Sequence, residues 1–177
     1  MRLFLAIDLP PHIKQVLQNQ INPIYRDYPD FNWTDPKNYH ITLHFFGGVD
    51  NVEKTKKDIE EAIFDIPNFY LYARSAGMFI GQKIVLYISF EREKIAENIA
   101  KKMRNKFHLQ NDEKFIPHLT IARSKIPSKQ QYLHLKKKLS KLSIDFEFPV
   151  KKIYLFNSIF SGKKPEYKKI AVFNLGS

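Results

Sequence analysis

The chain contains no cysteine. That excludes disulfides and thiolate metal sites, and it fits a cytoplasmic protein. No apolar run is long enough to cross a membrane. The apolar N-terminal stretch Met1-Arg2-Leu3-Phe4-Leu5-Ala6-Ile7 meets Asp8 too soon for a signal peptide and reads as a strand. Acidic residues are scarce: 18 Asp and Glu stand against 29 Lys and Arg, for a formal net charge of +11. Such an excess suits an anionic partner, nucleic acid first among them, although a Lys-rich surface alone needs no partner. The lysines come in dispersed pairs such as Lys56-Lys57, Lys101-Lys102 and Lys168-Lys169. A single basic tail is missing, which argues against a disordered nucleic-acid arm.

What remains is a chain of 177 residues, 44% hydrophobic and with 15 Phe, enough to bury a substantial core. We read residues 1–177 as one domain with two lobes, since no long Gly/Ser/Pro linker divides it. Hydrophobic spacing predicts helices over about 11–26, 51–64 and 91–107, and a fourth capped by Ser128. The stripe Ile95, Ile99, Met103 and Phe107 is a core face. Strands are predicted at about 2–8, 38–46, 68–74, 83–90, 115–123, 143–149, 151–157 and 168–174, with 83–90 central because it is almost wholly apolar. Strand, helix, strand, helix then repeats, as if the chain had two similar halves.

Two segments are nearly alike. One reads His40-Ile41-Thr42-Leu43 and the other, 78 residues on, His118-Leu119-Thr120-Ile121. With six His and four Thr in the chain, chance gives roughly 0.14 His-x-Thr pairs, so two are a signal. Residues i and i+2 share a face of a strand. His40, Thr42 and His44 therefore belong together, as do His118 and Thr120. Strict alternation puts Arg123 on the opposite face from His118.

Two opposed His/Thr pairs are equipment for acid–base chemistry on a phosphodiester. One imidazole can deprotonate water while the other protonates the leaving oxygen, each role being typically worth about 10² to 10⁴ in rate. Threonine hydroxyls and an arginine can hold the non-bridging oxygens. No metal is needed. His40 and His44 have the i, i+4 spacing of a helical zinc pair, but no Glu follows His40 and the segment reads as strand.

The chain resembles the two-histidine phosphoesterases, specifically the LigT-like RNA 2′,3′-cyclic phosphodiesterases, also called 2′-5′ RNA ligases. The resemblance spans nearly the whole length. It is carried by Met1 to Ile7, by Asn38-Tyr39-His40-Ile41-Thr42-Leu43-His44-Phe45-Phe46-Gly47, by Phe115-Ile116-Pro117-His118-Leu119-Thr120-Ile121-Ala122-Arg123, and by a C-terminal segment containing Ser158, Gly162 and Tyr167.

That resemblance implies an α+β, bilobal fold of two pseudo-symmetric lobes, each with an antiparallel sheet and outer helices, and an active-site cleft between them. It implies hydrolysis of an RNA 2′,3′-cyclic phosphate to a 2′-phosphomonoester without metal or other cofactor. His40 would be the proton donor and His118 the proton acceptor, with Thr42, Thr120 and Arg123 on the phosphate. The implied partner is RNA with a cyclic-phosphate end, tRNA halves included, acted on by a cytoplasmic monomer without a membrane. Ligation through a 2′-5′ bond would use the same two histidines in reverse, and an RNA-end-binding module with secondary catalysis is the other alternative.

The family often has Lys or Arg where this chain has His44, which by alternation would line the cleft and make affinity depend on pH; the plainer reading is a rim residue with no role. In Gly162-Lys163-Lys164-Pro165-Glu166-Tyr167 the family tends to place Pro directly after Gly. His12, His108 and His134 read as surface residues. Trp33 and the many Phe and Tyr read mostly as core; if one stacks on a base, Trp33, just before the first motif strand, is the one we nominate.

Overall fold

A computed structural model describes residues 1–108 and 114–176. Nine strands and four α-helices occur among the described residues. Their order is β1 (Arg2–Asp8), α1 (Pro11–Asp27), β2 (Asn32–Trp33), β3 (His40–Gly48), α2 (Val52–Ile63), β4 (Phe69–Ile80), β5 (Ile84–Phe90), α3 (Lys94–Lys106), β6 (His118–Ser124), α4 (Lys129–Ser140), β7 (Phe146–Val150), β8 (Lys152–Phe160) and β9 (Pro165–Asn174). A 3-10 turn at Pro36–Asn38 leads into β3.

The strands form two antiparallel sheets. The first runs β3-β1-β8-β9 and the second β2-β6-β5-β4-β7. The class is α+β, and β5 is central, as its apolar run predicts. The expectation of two sequential halves is corrected: the first sheet is built from both ends of the chain and the second from its middle. The chain passes from sheet to sheet several times, so most buried residues of both merge into one cluster, with Phe4, Ala6 and Phe156 forming a small second one.

Each helix follows from local chemistry. Helix α1 places Ile13, Leu17, Ile21 and Ile24 on one buried stripe and begins with Pro11, whose missing N–H costs nothing there. Helix α2 is capped by Asn51, whose side chain accepts from the Lys54 N–H. Helix α4 opens with a capping box: the Ser128 hydroxyl accepts from Gln131 N at 3.3 Å and the Gln131 side chain accepts from Ser128 N at 3.1 Å. Helix α3 lies against β3 and packs on α2, while α4 lies against β4 and α1 against β7.

These helices cover one face of each sheet. In β1 the covered face is Leu3, Leu5 and Ile7, and in β5 it is Ile84, Leu86, Ile88 and Phe90, all buried. The other faces carry Phe4 and Ala6 in the first sheet and Tyr87 and Ser89 in the second. Strands β3 and β6, which hold the two His-x-Thr segments, approach each other directly where the sheets meet.

Candidate active site

A cleft of about 690 Å³ opens between the two uncovered faces. His40, Thr42, His118, Thr120 and Arg123 all line it. All five residues expected at the site are thus brought together, from two strands far apart in the chain.

Each histidine is held in the same way. His40 Nδ1 lies 2.6 Å from the Asn38 carbonyl oxygen, and His118 Nδ1 lies 2.9 Å from that of Ile116. In both cases the partner is the carbonyl two residues upstream. A carbonyl only accepts, so each Nδ1 carries the proton and each Nε2 is left for chemistry. The turn at Pro36–Asn38 and the extended approach through Pro117 present these carbonyls.

The strands do not alternate strictly. Opposite β1, Ala6 pairs with Thr42 and Leu5 with His44, so Leu43 is an extra residue. Opposite β5, Tyr87 pairs with Thr120 and Leu86 with Ala122, so Ile121 is an extra residue. Each β-bulge reverses the facing of the residues beyond it. The bulge in β6 therefore moves Arg123 onto the face of His118 and Thr120, across from Val85. Alternation alone mispredicts this residue; the adjacent apolar pair Ile121-Ala122, both fully buried, is the sequence signal for the bulge.

His44 lines the cleft as expected, but the matching bulge in β3 overturns the pH dependence expected of it. It turns the ring onto the buried face, 6% exposed, between Phe46 at 4.7 Å and Phe107 at 6.0 Å. Burial, reinforced by the Arg104 charge, pushes its pKa down to about 4. Its Nε2 has no hydrogen-bond partner among the described residues. At pH 7 the ring is a neutral part of the cleft wall. Phe45 also lines the cleft, at the place in β3 that Arg123 holds in β6, and sequence reasoning missed it.

His40 sits in an aromatic nest. Its ring centroid is 5.1 Å from Phe4 and 5.2 Å from Tyr167, the latter edge-on at 85°. Burial lowers its pKa. The Asn38 carbonyl and the Asp8 charge oppose that, while Arg123 and Lys14 reinforce it. Asp8 faces His40 across the β1–β3 pair and is itself held by Lys14 at 2.8 Å and Lys169 at 2.5 Å. Tyr167 reaches the cleft because it pairs with Ser158 across the β8–β9 hairpin, and both line it. Burial raises the pKa of Tyr167, so its hydroxyl stays protonated.

Trp33 does not reach the cleft. It is 9% exposed, in the core, and its indole N–H donates to the Tyr28 carbonyl at 2.8 Å. No group of three or more His, Cys, Asp or Glu that could hold a metal occurs among the described residues. None of the helices described is long and apolar enough to cross a membrane.

Residues 9–158 match the model of the 2′-5′ RNA ligase superfamily. An RNA 2′,3′-cyclic phosphodiesterase of Methanocaldococcus jannaschii is 31% identical, over 96% of this chain and 98% of its own. Another of that name from Archaeoglobus fulgidus is 28% identical over 98% and 99%. The crystal structure of E. coli LigT complexed with 3′-AMP superposes with a TM-score of 0.79 at 23% identity, covering 99% of this chain and 98% of that one.

Proposed function

The chain belongs to the 2′-5′ RNA ligase superfamily, and on that premise we propose that it hydrolyses the 2′,3′-cyclic phosphodiester at an RNA end to a 2′-phosphomonoester. The observation that carries the reading is the pair of His-x-Thr strands across one cleft, each imidazole held through Nδ1 by a backbone carbonyl. The similarity to curated RNA 2′,3′-cyclic phosphodiesterases supports the choice of substrate.

In this reading His118 Nε2 takes a proton from water as its oxygen bonds to phosphorus. The P–O3′ bond breaks, and His40 Nε2 gives its proton to O3′. The 2′-phosphate remains on the RNA. Thr42, Thr120 and Arg123 hold the non-bridging oxygens, where negative charge builds in the transition state. His40 must be protonated to act, although burial lowers its pKa. The phosphate anion supplies the missing negative charge when it binds, and so favours the imidazolium. The division of roles between the two histidines is taken from the family resemblance, because their holding bonds are equivalent.

No step requires a metal. The RNA is proposed to be an end bearing a cyclic phosphate, such as a tRNA half, and the protein to act as a monomer.

The test is a short RNA ending in a 2′,3′-cyclic phosphate, with products resolved as 2′- or 3′-monophosphate. The expected product is the 2′-monophosphate, formed equally well in EDTA. His40→Ala and His118→Ala should each lower kcat/KM by about 10² to 10⁴. Near-normal turnover in either variant refutes the assignment.

A further inference from the structure

Beyond the catalytic strands, the uncovered face of the second sheet continues over β5 and β4. Its rows can be read from the pairing. Ser75, Ser89 and His118 form one row; Gly77, Tyr87 and Thr120 the next; Phe79, Val85 and Arg123 a third. Helices cover only the opposite face, so this one is open.

The middle row has a built feature. A Cβ on Gly77 would lie 2.7 Å from the Tyr87 hydroxyl oxygen and 2.8 Å from its Cζ. Only glycine lets the Tyr87 ring lie flat across β4. There it stacks with Phe79, centroids 4.1 Å apart and planes within 18°. Phe79 is 43% exposed, which leaves the aromatic pair open to solvent. Both rings stand nearly perpendicular to His118, Phe79 at 5.6 Å and 87° and Tyr87 at 6.1 Å and 78°. Exposed aromatics on an open sheet are surfaces on which unpaired bases stack.

Position decides which base. In-line displacement puts the attacking and leaving oxygens on opposite sides of phosphorus. If His118 serves the attacking oxygen, the nucleoside carrying the cyclic phosphate lies on the His40 side. Hydrolysis needs only water beside His118 and leaves the aromatic pair without a partner. We propose that Phe79 and Tyr87 form a stacking subsite for a second nucleoside, one that presents its 5′-hydroxyl to phosphorus in place of water. This rests on His118 being the base of the proposed hydrolysis. In that reaction O5′ bonds to phosphorus, its proton passes to His118, the P–O3′ bond breaks and His40 protonates O3′. A 2′-5′ phosphodiester forms with no other reactant. The reverse reaction releases the second nucleoside.

Two substrates separate this subsite from the hydrolytic reading. Adenosine 2′,3′-cyclic phosphate hydrolysis uses the cleft alone. Cleavage of 2′-5′-linked adenylyl-adenosine, followed as release of adenosine, uses both. Phe79→Ala should lower kcat/KM for the dinucleotide on the order of ten-fold and leave cyclic phosphate hydrolysis unchanged. Phe79→Trp should restore the dinucleotide reaction, and Gly77→Ala, which displaces Tyr87, should impair it as Phe79→Ala does. Equal loss on both substrates in Phe79→Ala would mean that Phe79 only orients His118. A rise in KM for the cyclic phosphate alone would mean that the pair holds the other nucleoside. Either result overturns the proposal, as does no change on either substrate or a parent protein that hydrolyses the cyclic phosphate but leaves the dinucleotide intact. A parent inert on both refutes the hydrolytic reading itself.

Discussion

His44 and His40 lie four residues apart on one strand, yet their environments differ in kind. His44 is buried among aromatic rings, its Nε2 without a partner among the described residues, so the folded state holds it neutral. Its folded pKa of about 4 lies below the unfolded value of about 6.5. The stability it contributes is therefore fully present above about pH 6.5 and is lost as pH falls towards 4, because the unfolded chain binds the proton first. Between pH 7 and pH 5 this group should cost roughly 2 kcal/mol of stability. His44→Leu keeps the apolar contacts and removes both the orphaned nitrogen and the titration. Urea unfolding at the two pH values should show the difference between them shrink by about that amount; an unchanged difference refutes it. The residue types of the site, His40, Thr42, His118 and Thr120, are legible in sequence because the motif repeats. The environment of His44 is not, because it depends on Phe107, a residue of another element.

At the scale of the element, two bulges do what strand alternation forbids. One extra residue in β6 lets Ile121 and Ala122 both face the core and delivers Arg123 to the cleft. The same device in β3 buries His44 and presents Phe45. A bulge leaves only the faint mark of two adjacent apolar residues, and its place is fixed by the partner strand, which the sequence of β6 does not contain. Inserting one alanine between Ala122 and Arg123 would shift the facing of Arg123 by one residue and drive its guanidinium towards the core. The expected result is a loss of at least about 2 kcal/mol in urea unfolding together with loss of turnover. Arg123→Ala, by contrast, should keep the stability and lose only turnover. If the insertion leaves both unchanged, register in β6 is not what places the arginine. The helices are more legible: Ser128 caps where the sequence places it, because capping is a contact within four residues.

For the molecule as a whole, charge sets how a polyanion is met. The net charge is +11, and the cleft itself is lined by Arg2, Arg104, Lys114 and Arg123. If RNA runs along this surface, KM for a ten-nucleotide RNA cyclic phosphate should rise steeply with salt, because each neutralised phosphate contributes a log–log slope of about 0.7. KM for adenosine 2′,3′-cyclic phosphate, with one phosphate, should rise with a slope no greater than about one. Equal slopes would confine recognition to the terminal phosphate. The sequence by itself determined the α+β class, the central β5, the helix stripes and the two His-x-Thr units, because these arise from periodicity over a few residues. Only the tertiary structure decided which strands share a sheet, that the lobes interleave instead of dividing the chain in half, and which face Arg123, His44 and Phe45 occupy. Those outcomes depend on pairing between segments as distant as β1 and β8, and no local pattern of residues encodes a partner so far along the chain.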